Sequence, residues 1–377
     1  MRILYVNDAW AIWGGLERVL IDKMNFLADY EGYDIFTFTH SQGTHSLPYP
    51  LSPKVVHRDL NIQLHHQYRY HGLKRLYYRY KLEHLLVKRL QSGIKEIVPD
   101  IIVSPRIELV GYILRANHSI PIVYESHSTC EWMASNNKGL VWFIKQYVFK
   151  RQVKKVQMIV ALTEGDAAEW RKYNHHVSVI PNIVHLNHSG VYSDCMAKSV
   201  IFVGRFSWQK DIGSLIKIWS LVHQSHPDWC LHIYGGYGEE QDAFYAKIKQ
   251  MDANIQVHES TPHIMEKYRE SSIVLLTSVY ETFGLVLPEA MSCGLPVVAF
   301  DCPSGPASII TDGVDGFLIK DRDVNLFADK LCSLMESSDL RHSMGKAAIL
   351  SSKRYSADRI MTQWMNLFNE LLASRPS

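Results

Sequence analysis

The sequence lacks any window approaching about 18 uninterrupted apolar residues, so no membrane-spanning helix is expected in it. It lacks low-complexity tracts, and 47% hydrophobic with 21% charged residues excludes a disordered or fibrous chain. No Cys-x-x-Cys pair occurs. The six cysteines, Cys130, Cys195, Cys230, Cys293, Cys302 and Cys332, lie far apart, several in apolar runs, and read as reduced core thiols of a cytosolic protein. The N-terminal "MRILYVNDAW" is too short in apolar residues for a signal-peptide core and reads as a first β-strand.

What is present is a chain of 377 residues, beyond the roughly 250 to 300 at which one core stops growing, so two domains are expected. The net charge of +2 hides an asymmetry. Residues 1–190 carry 23 Lys/Arg against 16 Asp/Glu, and residues 191–377 carry 17 against 22. The two halves face different partners, or one of them faces an anionic surface.

The first half alternates strand candidates ("RILYVN", "YDIFTFTH", "DIIVSP", "PIVYESH", "MIVALT", "VSVIPN") with amphipathic stretches such as 16–29 and 141–157, the pattern of parallel βαβ units. Periodicity fails at "HLNHSGVYSDCMAK" and then restarts with "SVIFVG", "CLHIYG", "NIQVHES", "SIVLLTS", "LPVVAFD" and "GFLIK". The expected organisation is an α/β domain over 1–185, a linker over 186–198, a second α/β domain over 199–355, and an amphipathic helix over 356–377. Two doubly wound domains facing across a cleft would hold a ligand at the carboxyl ends of their strands, so functional residues are sought just after strands.

Three places fit. Gly14 and Gly15 open a helix after the first strand, where backbone N–H groups and the helix dipole suit a phosphate; a mere tight turn is the other reading, since no Gly-x-Gly-x-x-Gly fingerprint occurs. "VIFVGRFSWQK" places Gly204, Arg205 and Lys210 after a strand, two cations suited to a diphosphate unless they are only solvated. In "SVYETFGLVLPEAMSCGLP", Pro288 fits the first turn of a helix and puts Glu289 there, while Glu281 lies in the preceding loop with a turn, Phe283-Gly284-Leu285, whose backbone can face a ligand. Glu289 could equally serve as a cap. The Asp-x-Asp at Asp321 and Asp323 precedes a helical pattern and reads as a polar turn with a cap; no metal site is expected.

These residues resemble the group 4 glycosyltransferases, retaining enzymes with the GT-B architecture of two Rossmann-like domains. The resemblance spans essentially the whole chain and rests on Gly14-Gly15, "GRFSWQK", Glu281 and Glu289 with seven residues between them, "EAMSCGLPVVAFD" and "DGVDGFLI". It implies that Gly15, Arg205 and Lys210 hold the donor diphosphate, that Glu289 accepts from ribose hydroxyls, and that Glu281 contacts the transferred sugar. It implies that His127, in "VYESHS", is an acceptor-side group near the reacting carbon, and that the last helix returns to the first domain. The sugar would keep its anomeric configuration through same-face attack assisted by the departing phosphate, with Arg205, Lys210 and a helix N-terminus stabilising the leaving group. No metal cofactor is then expected. Many relatives carry a glutamate before "IITDG" where this chain has Ser308; the "Ser-Gly-Pro" form resembles a subset of bacterial surface-polysaccharide enzymes, some using galactose-type or N-acetylhexosamine donors.

One segment remains. Residues 65–89, "HHQYRYHGLKRLYYRYKLEHLLVKR", carry seven Lys/Arg, one acid and five tyrosines. They are a solvated helical face or a surface for an anionic leaflet, and "VWFIKQYVFKRQVKK" is similar. Nucleic acid is not an expected partner, because the second half is acidic and shows no recognition module. The expected function is transfer of a sugar from a nucleoside diphosphate, with uridine the expected base, to a lipid-linked glycan of a bacterial surface polysaccharide, in the cytoplasm or peripherally at the inner membrane face. The alternatives are a transferase of the same fold acting on a small soluble acceptor and a non-catalytic nucleotide- or glycan-binding subunit.

Overall fold

The computed structural model describes residues 1–130, 140–235, 238, 241–248, 251 and 253–374. The chain divides into two compact units, one formed by Met1–Ile183 with Ala357–Ser377, the other by Val184–Ser356. Both are parallel α/β folds, as the alternating pattern predicts.

Unit 1 contains β1 (Arg2–Asn7), α1 (Gly15–Asp29), β2 (Asp34–Thr39), β3 (Val56–Asp59), α2 (Gly72–Ile97), β4 (Ile101–Ser104), α3 (Ile107–Ala116), β5 (Ile122–Glu125), α4 (Leu140–Val153), β6 (Met158–Ala161), α5 (Glu164–Arg171) and β7 (Val177–Val179). Its sheet order is β3-β2-β1-β4-β5-β6-β7, so the chain reverses its winding between β1 and β4. β4 and β5 are buried throughout, as strands covered on both faces must be. Alternate residues serve opposite layers: Leu4 and Val6 join one core with Ile102 and Tyr124, Ile3 and Tyr5 the other with Ile101 and Val103. That second core is completed by the last helix of the chain, Ala357–Ala373. Its Ile360, Met361, Trp364, Leu367 and Phe368, at helical spacing, pack with Leu20, Met24 and Leu27 of α1.

Unit 2 contains β8 (Ser199–Gly204), α6 (Ile212–Ser225), β9 (Cys230–Gly235), α7 (Gln241–Ile248), β10 (Ile255–Glu259), α8 (Ile264–Arg269), β11 (Ile273–Leu276), α9 (Val286–Ser292), β12 (Val297–Phe300), α10 (Pro306–Ile309), β13 (Gly316–Ile319), α11 (Val324–Glu336) and α12 (Ser338–Ser352); the helix that follows, Ala357–Ala373, is α13 and belongs to unit 1. The sheet order is β10-β9-β8-β11-β12-β13, with the reversal between β8 and β11. Residues 186–198, expected as a linker, form irregular chain within this unit. Asn187 N–H donates to Ser292 Oγ at 2.9 Å, Ser193 N–H to the Cys293 carbonyl at 2.8 Å, and Cys195 is buried. Ligands of doubly wound sheets bind at such reversals, beyond the carboxyl ends of the strands.

Candidate active site

In unit 2 the reversal puts the end of β8 beside the end of β11. A Cβ at Gly235, which closes β9 at φ +137°, would lie 2.2 Å from the Gly204 carbonyl oxygen, so only glycine lets the end of β9 lie this close to the end of β8 on its other side. Past Gly204 the chain makes a tight turn, Trp208–Lys210, fastened to the loop after β11. Val279 N–H donates to the Gln209 carbonyl at 2.8 Å, Gln209 Nε2 to the Tyr280 carbonyl at 3.1 Å, and Thr277 Oγ1 to the Lys210 carbonyl at 2.9 Å.

This fastening aims two side chains at each other. Lys210 Nζ donates to Glu281 Oε1, and Ser278 Oγ donates to the same oxygen at 2.7 Å. Both members of the pair are largely buried, with side chains 15% and 8% exposed. The stem of Lys210 runs over Gly204, where a Cβ would meet its Cδ at 3.3 Å. Glu281 is fixed from the other side as well: its backbone bridges to Ser304, and a Cβ at Gly305 would be 2.6 Å from the Phe283 carbonyl oxygen and 2.9 Å from Glu281 Cβ. The "Ser-Gly-Pro" loop therefore lies against the glutamate. Ser308, in α10, donates its hydroxyl to the Gly305 carbonyl at 2.6 Å and so closes its own turn.

Arg205 is exposed beside Tyr280. Burial pushes the Tyr280 phenol above its ordinary range, Glu281 adds to this, and Arg205 opposes it. Phe283 is buried edge-on to Tyr355 with ring centroids 5.2 Å apart, so its side chain is spent on packing; Gly284 follows at φ +90° and Leu285 is half-buried. Pro288 and Glu289 both lie in the first turn of α9, and Glu289 is 6% exposed. Asp323 caps α11 by accepting from Asn325 and Leu326 N–H at 2.9 and 3.0 Å.

Sequence reasoning missed Arg322. Its guanidinium donates to the Ser278 carbonyl at 2.8 Å, to the Thr277 carbonyl at 3.0 Å and to Asp211, whose carboxylate also caps α6 through Ser214 N–H at 3.0 Å. It also lies over the Phe300 ring, 4.5 Å from the centroid. One side chain thus ties the Lys210 turn to the Glu281 loop from beneath. The sequence signal was an arginine in the Asp-x-Asp turn, a context that points to nothing by itself.

Unit 1 holds the other candidates. Gly14 is the N-cap of α1 in extended conformation, and Gly15 is exposed as its first residue. His127 follows β5, and its Nε2 lies 2.9 Å from Glu125 Oε1. The other carboxylate oxygen pairs with Lys23 Nζ, both side chains 1% exposed, and the ammonium sits 3.5 Å from the centroid of the Trp364 ring. Burial opposes ionisation of Glu125, yet Lys23 and His127 together hold its carboxyl at about 2. Burial pulls Lys23 down to about 8 against the pull of Glu125, so it keeps its proton at neutral pH. Lys23 carries no sequence motif, and Glu125 lies in "VYESHS" without being singled out by it.

At the β1/β4 reversal His40 Nε2 lies 2.9 Å from Asp8 Oδ1, Ser41 Oγ 2.7 Å from His40 Nδ1, and Arg106 Nε 3.5 Å from Asp8 Oδ2. Donors and acceptors alternate there in a way that suits hydroxyl groups. Among the described residues no group of three or more His, Cys, Asp or Glu is placed to hold a metal ion, and no helix is long and apolar enough to cross a membrane.

Comparison with known proteins supplies the family. Residues 13–188 match the model described as Glycosyltransferase Family 4, and residues 193–351 the model described as Glycosyl transferases group 1. The chain is 35% identical over 223 residues to an amylovoran biosynthesis glycosyltransferase of Erwinia amylovora, a match covering 56% of this chain and 62% of that protein. It is 28% identical over 363 residues to a Haemophilus influenzae glycosyltransferase, covering 94% of this chain and 96% of the relative. Among solved structures, Staphylococcus aureus TarM in complex with fondaparinux, alpha-GlcNAc-glycerol and UDP superposes with a TM-score of 0.75 at 16% identity, over 98% of this chain and 99% of the other.

Proposed function

Since the chain belongs to the glycosyltransferases that join a family 4 domain to a group 1 domain, we propose that it transfers a sugar, with retention of anomeric configuration, from a uridine diphosphate sugar to a lipid-linked glycan of a bacterial surface polysaccharide. The observation that carries the donor half is the Lys210–Glu281 pair at the β8/β11 reversal. An ammonium has three N–H groups, one of which is engaged by Glu281, so phosphate oxygens can take the others. The carboxylate beside it can accept from a sugar hydroxyl. Arg205, exposed directly after β8, adds a second cation for the diphosphate, and Glu289 in α9 is the partner proposed for the ribose.

The chemistry follows from charge. Cleaving the bond between sugar and diphosphate leaves negative charge on the phosphate, and preorganised cations lower the barrier most where that charge develops. Arg205 and Lys210 would supply it without a divalent ion, and His127 would act on the acceptor side. The polar cluster of Asp8, His40 and Arg106 suits hydroxyls of a glycan acceptor. The uridine assignment draws on the UDP bound to the S. aureus TarM structure, and the polysaccharide assignment on the amylovoran relative.

Membrane contact is the remaining part of the reading. Along the start of α2 and the turn before it, Tyr68, Leu73, Leu76, Tyr77 and Tyr80 are each at least 59% exposed, interleaved with Arg69, Lys74, Arg75 and Arg79. Apolar and aromatic groups beside cations suit an anionic leaflet carrying the acceptor.

The test is incubation of the purified protein with uridine, guanosine and adenosine diphosphate sugars, with and without chelator, following nucleotide release and the anomer of the product by NMR. Release from one uridine diphosphate sugar, undiminished by chelator and yielding the same anomer, is the expected outcome. Release that needs a divalent ion, or an inverted product, would overturn the mechanism; no release from any donor would favour a binding subunit.

A further inference from the structure

Lys23 and Glu125 are an ion pair withdrawn from solvent inside unit 1, each side chain 1% exposed. Packing alone does not call for such a pair, because taking two charges out of water is costly and apolar residues of similar volume often serve as well. The pair is also not closed on itself. Glu125 gives Oε2 to Lys23 and Oε1 to His127, whose Nε2 is 2.9 Å away. A carboxylate opposite Nε2 requires N–H there, so His127 holds a proton on Nε2 and donates it to Glu125. The titratable groups around the carboxylate are Tyr5 from β1, Lys23 from α1 and His127 itself, and burial keeps the Tyr5 phenol neutral. Lys23 is the larger of the two influences that hold Glu125 ionised, with His127 the second.

Without Lys23 the carboxylate would be a lone buried charge. It would take up a proton, and then donate to His127 instead of accepting, or it would draw a second proton onto the imidazole. Either change alters which ring nitrogen is basic. The ammonium is itself located by Trp364 of α13, whose ring face lies 3.5 Å from it. Three segments distant in sequence, the last helix, α1 and the end of β5, thus form a chain of contacts, Trp364 to Lys23 to Glu125, that ends at one histidine.

We propose that Lys23, Glu125 and Trp364 are positioning residues that fix the orientation of His127 and the Nε2–H it donates to Glu125, so that the C-terminal helix governs the state of the acceptor-side group. The consequence for catalysis rests on the acceptor-side reading of His127; the hydrogen bond to Glu125 does not.

The experiment is 15N NMR of the imidazoles in the full-length protein labelled at histidine, with the His127 signals identified by their loss in His127→Gln. Wild type is expected to show His127 Nε2 protonated and hydrogen-bonded to the carboxylate. In Lys23→Met the His127 signals should shift away from those of wild type, and kcat for transfer should fall at least tenfold while KM for the donor stays within twofold. A folded Lys23→Met protein whose His127 signals match wild type would overturn the proposal. Moved signals with unchanged kcat would support the positioning role and remove His127 from the acceptor side. Should Lys23→Met fail to fold, Trp364→Leu, which leaves both charges in place, carries the test: shifted His127 resonances are expected, and resonances identical to wild type would overturn it.

Discussion

Glu281 was legible as a candidate because a carboxylate before an apolar loop has no packing reason to be there. What the sequence did not reveal is how it is held: Ser278, Lys210 and the Gly305 backbone surround it, and Arg322 fastens the two loops from 41 residues further along the chain. These partners meet only because β8 and β11 are neighbours in the sheet. Lys210→Ala should therefore lower kcat/KM for transfer by ~100-fold or more, as loss of one preorganised charge does elsewhere, and donor kinetics will show it. A change within twofold would remove Lys210 from the donor site. A second prediction concerns acid. The Glu125 carboxyl lies at about 2 in the folded chain against an ordinary 4.5, so its contribution to stability is complete above pH 4.5 and is lost as pH falls toward 2. That contribution is on the order of 3 kcal/mol, and Lys23, protonated in both states across the window, adds no slope. Denaturant midpoints from pH 5 to pH 2.5 should fall more steeply for wild type than for the Lys23→Met/Glu125→Gln double variant; parallel curves would contradict the assignment.

At the level of elements, the strands with continuous apolar runs were readable nearly to the residue: "RILYVN", "SVIFVG" and "CLHIYG" coincide with β1, β8 and β9. β3 was not, because "VHRD" is a short edge strand with alternating exposure and presents no apolar run to detect. The last helix contributes five buried side chains, including Trp364 and Phe368, to a core of unit 1. Their exposure would cost on the order of 10 kcal/mol, about the whole stability of an ordinary domain. A chain truncated after Ser356 should accordingly lose cooperative unfolding of unit 1; near-wild-type thermal unfolding would show that α13 is dispensable. For α2, flotation with vesicles should recover the protein with anionic but not zwitterionic lipid, less so at 0.5 M salt, where screening shortens the reach of surface charge. Replacing Leu73, Leu76 and Tyr77 by serine should abolish recovery, and retention by that variant would exclude this face.

For the molecule as a whole, alternation of strands and helices with one interruption was enough to read two parallel α/β domains. Less accessible was the point where the second unit begins, because the polar stretch 186–198 has the composition of a linker while its backbone and Cys195 are engaged by unit 2. Composition reports solvation, and here the hydrogen bonds of an irregular segment are met by a neighbouring helix end. In the second unit two cations, Arg205 and Lys210, stand just after β8. The central claim is that those cations, Arg205 and Lys210, bind a uridine diphosphate group. Its most direct test is the thermal unfolding of the wild-type protein with and without UDP in the presence of chelator, beside Arg205→Ala. The account predicts a midpoint that rises with UDP concentration in wild type and a rise at least halved in the variant. A folded wild-type protein whose midpoint UDP does not move, or a variant that responds as wild type does, would contradict it.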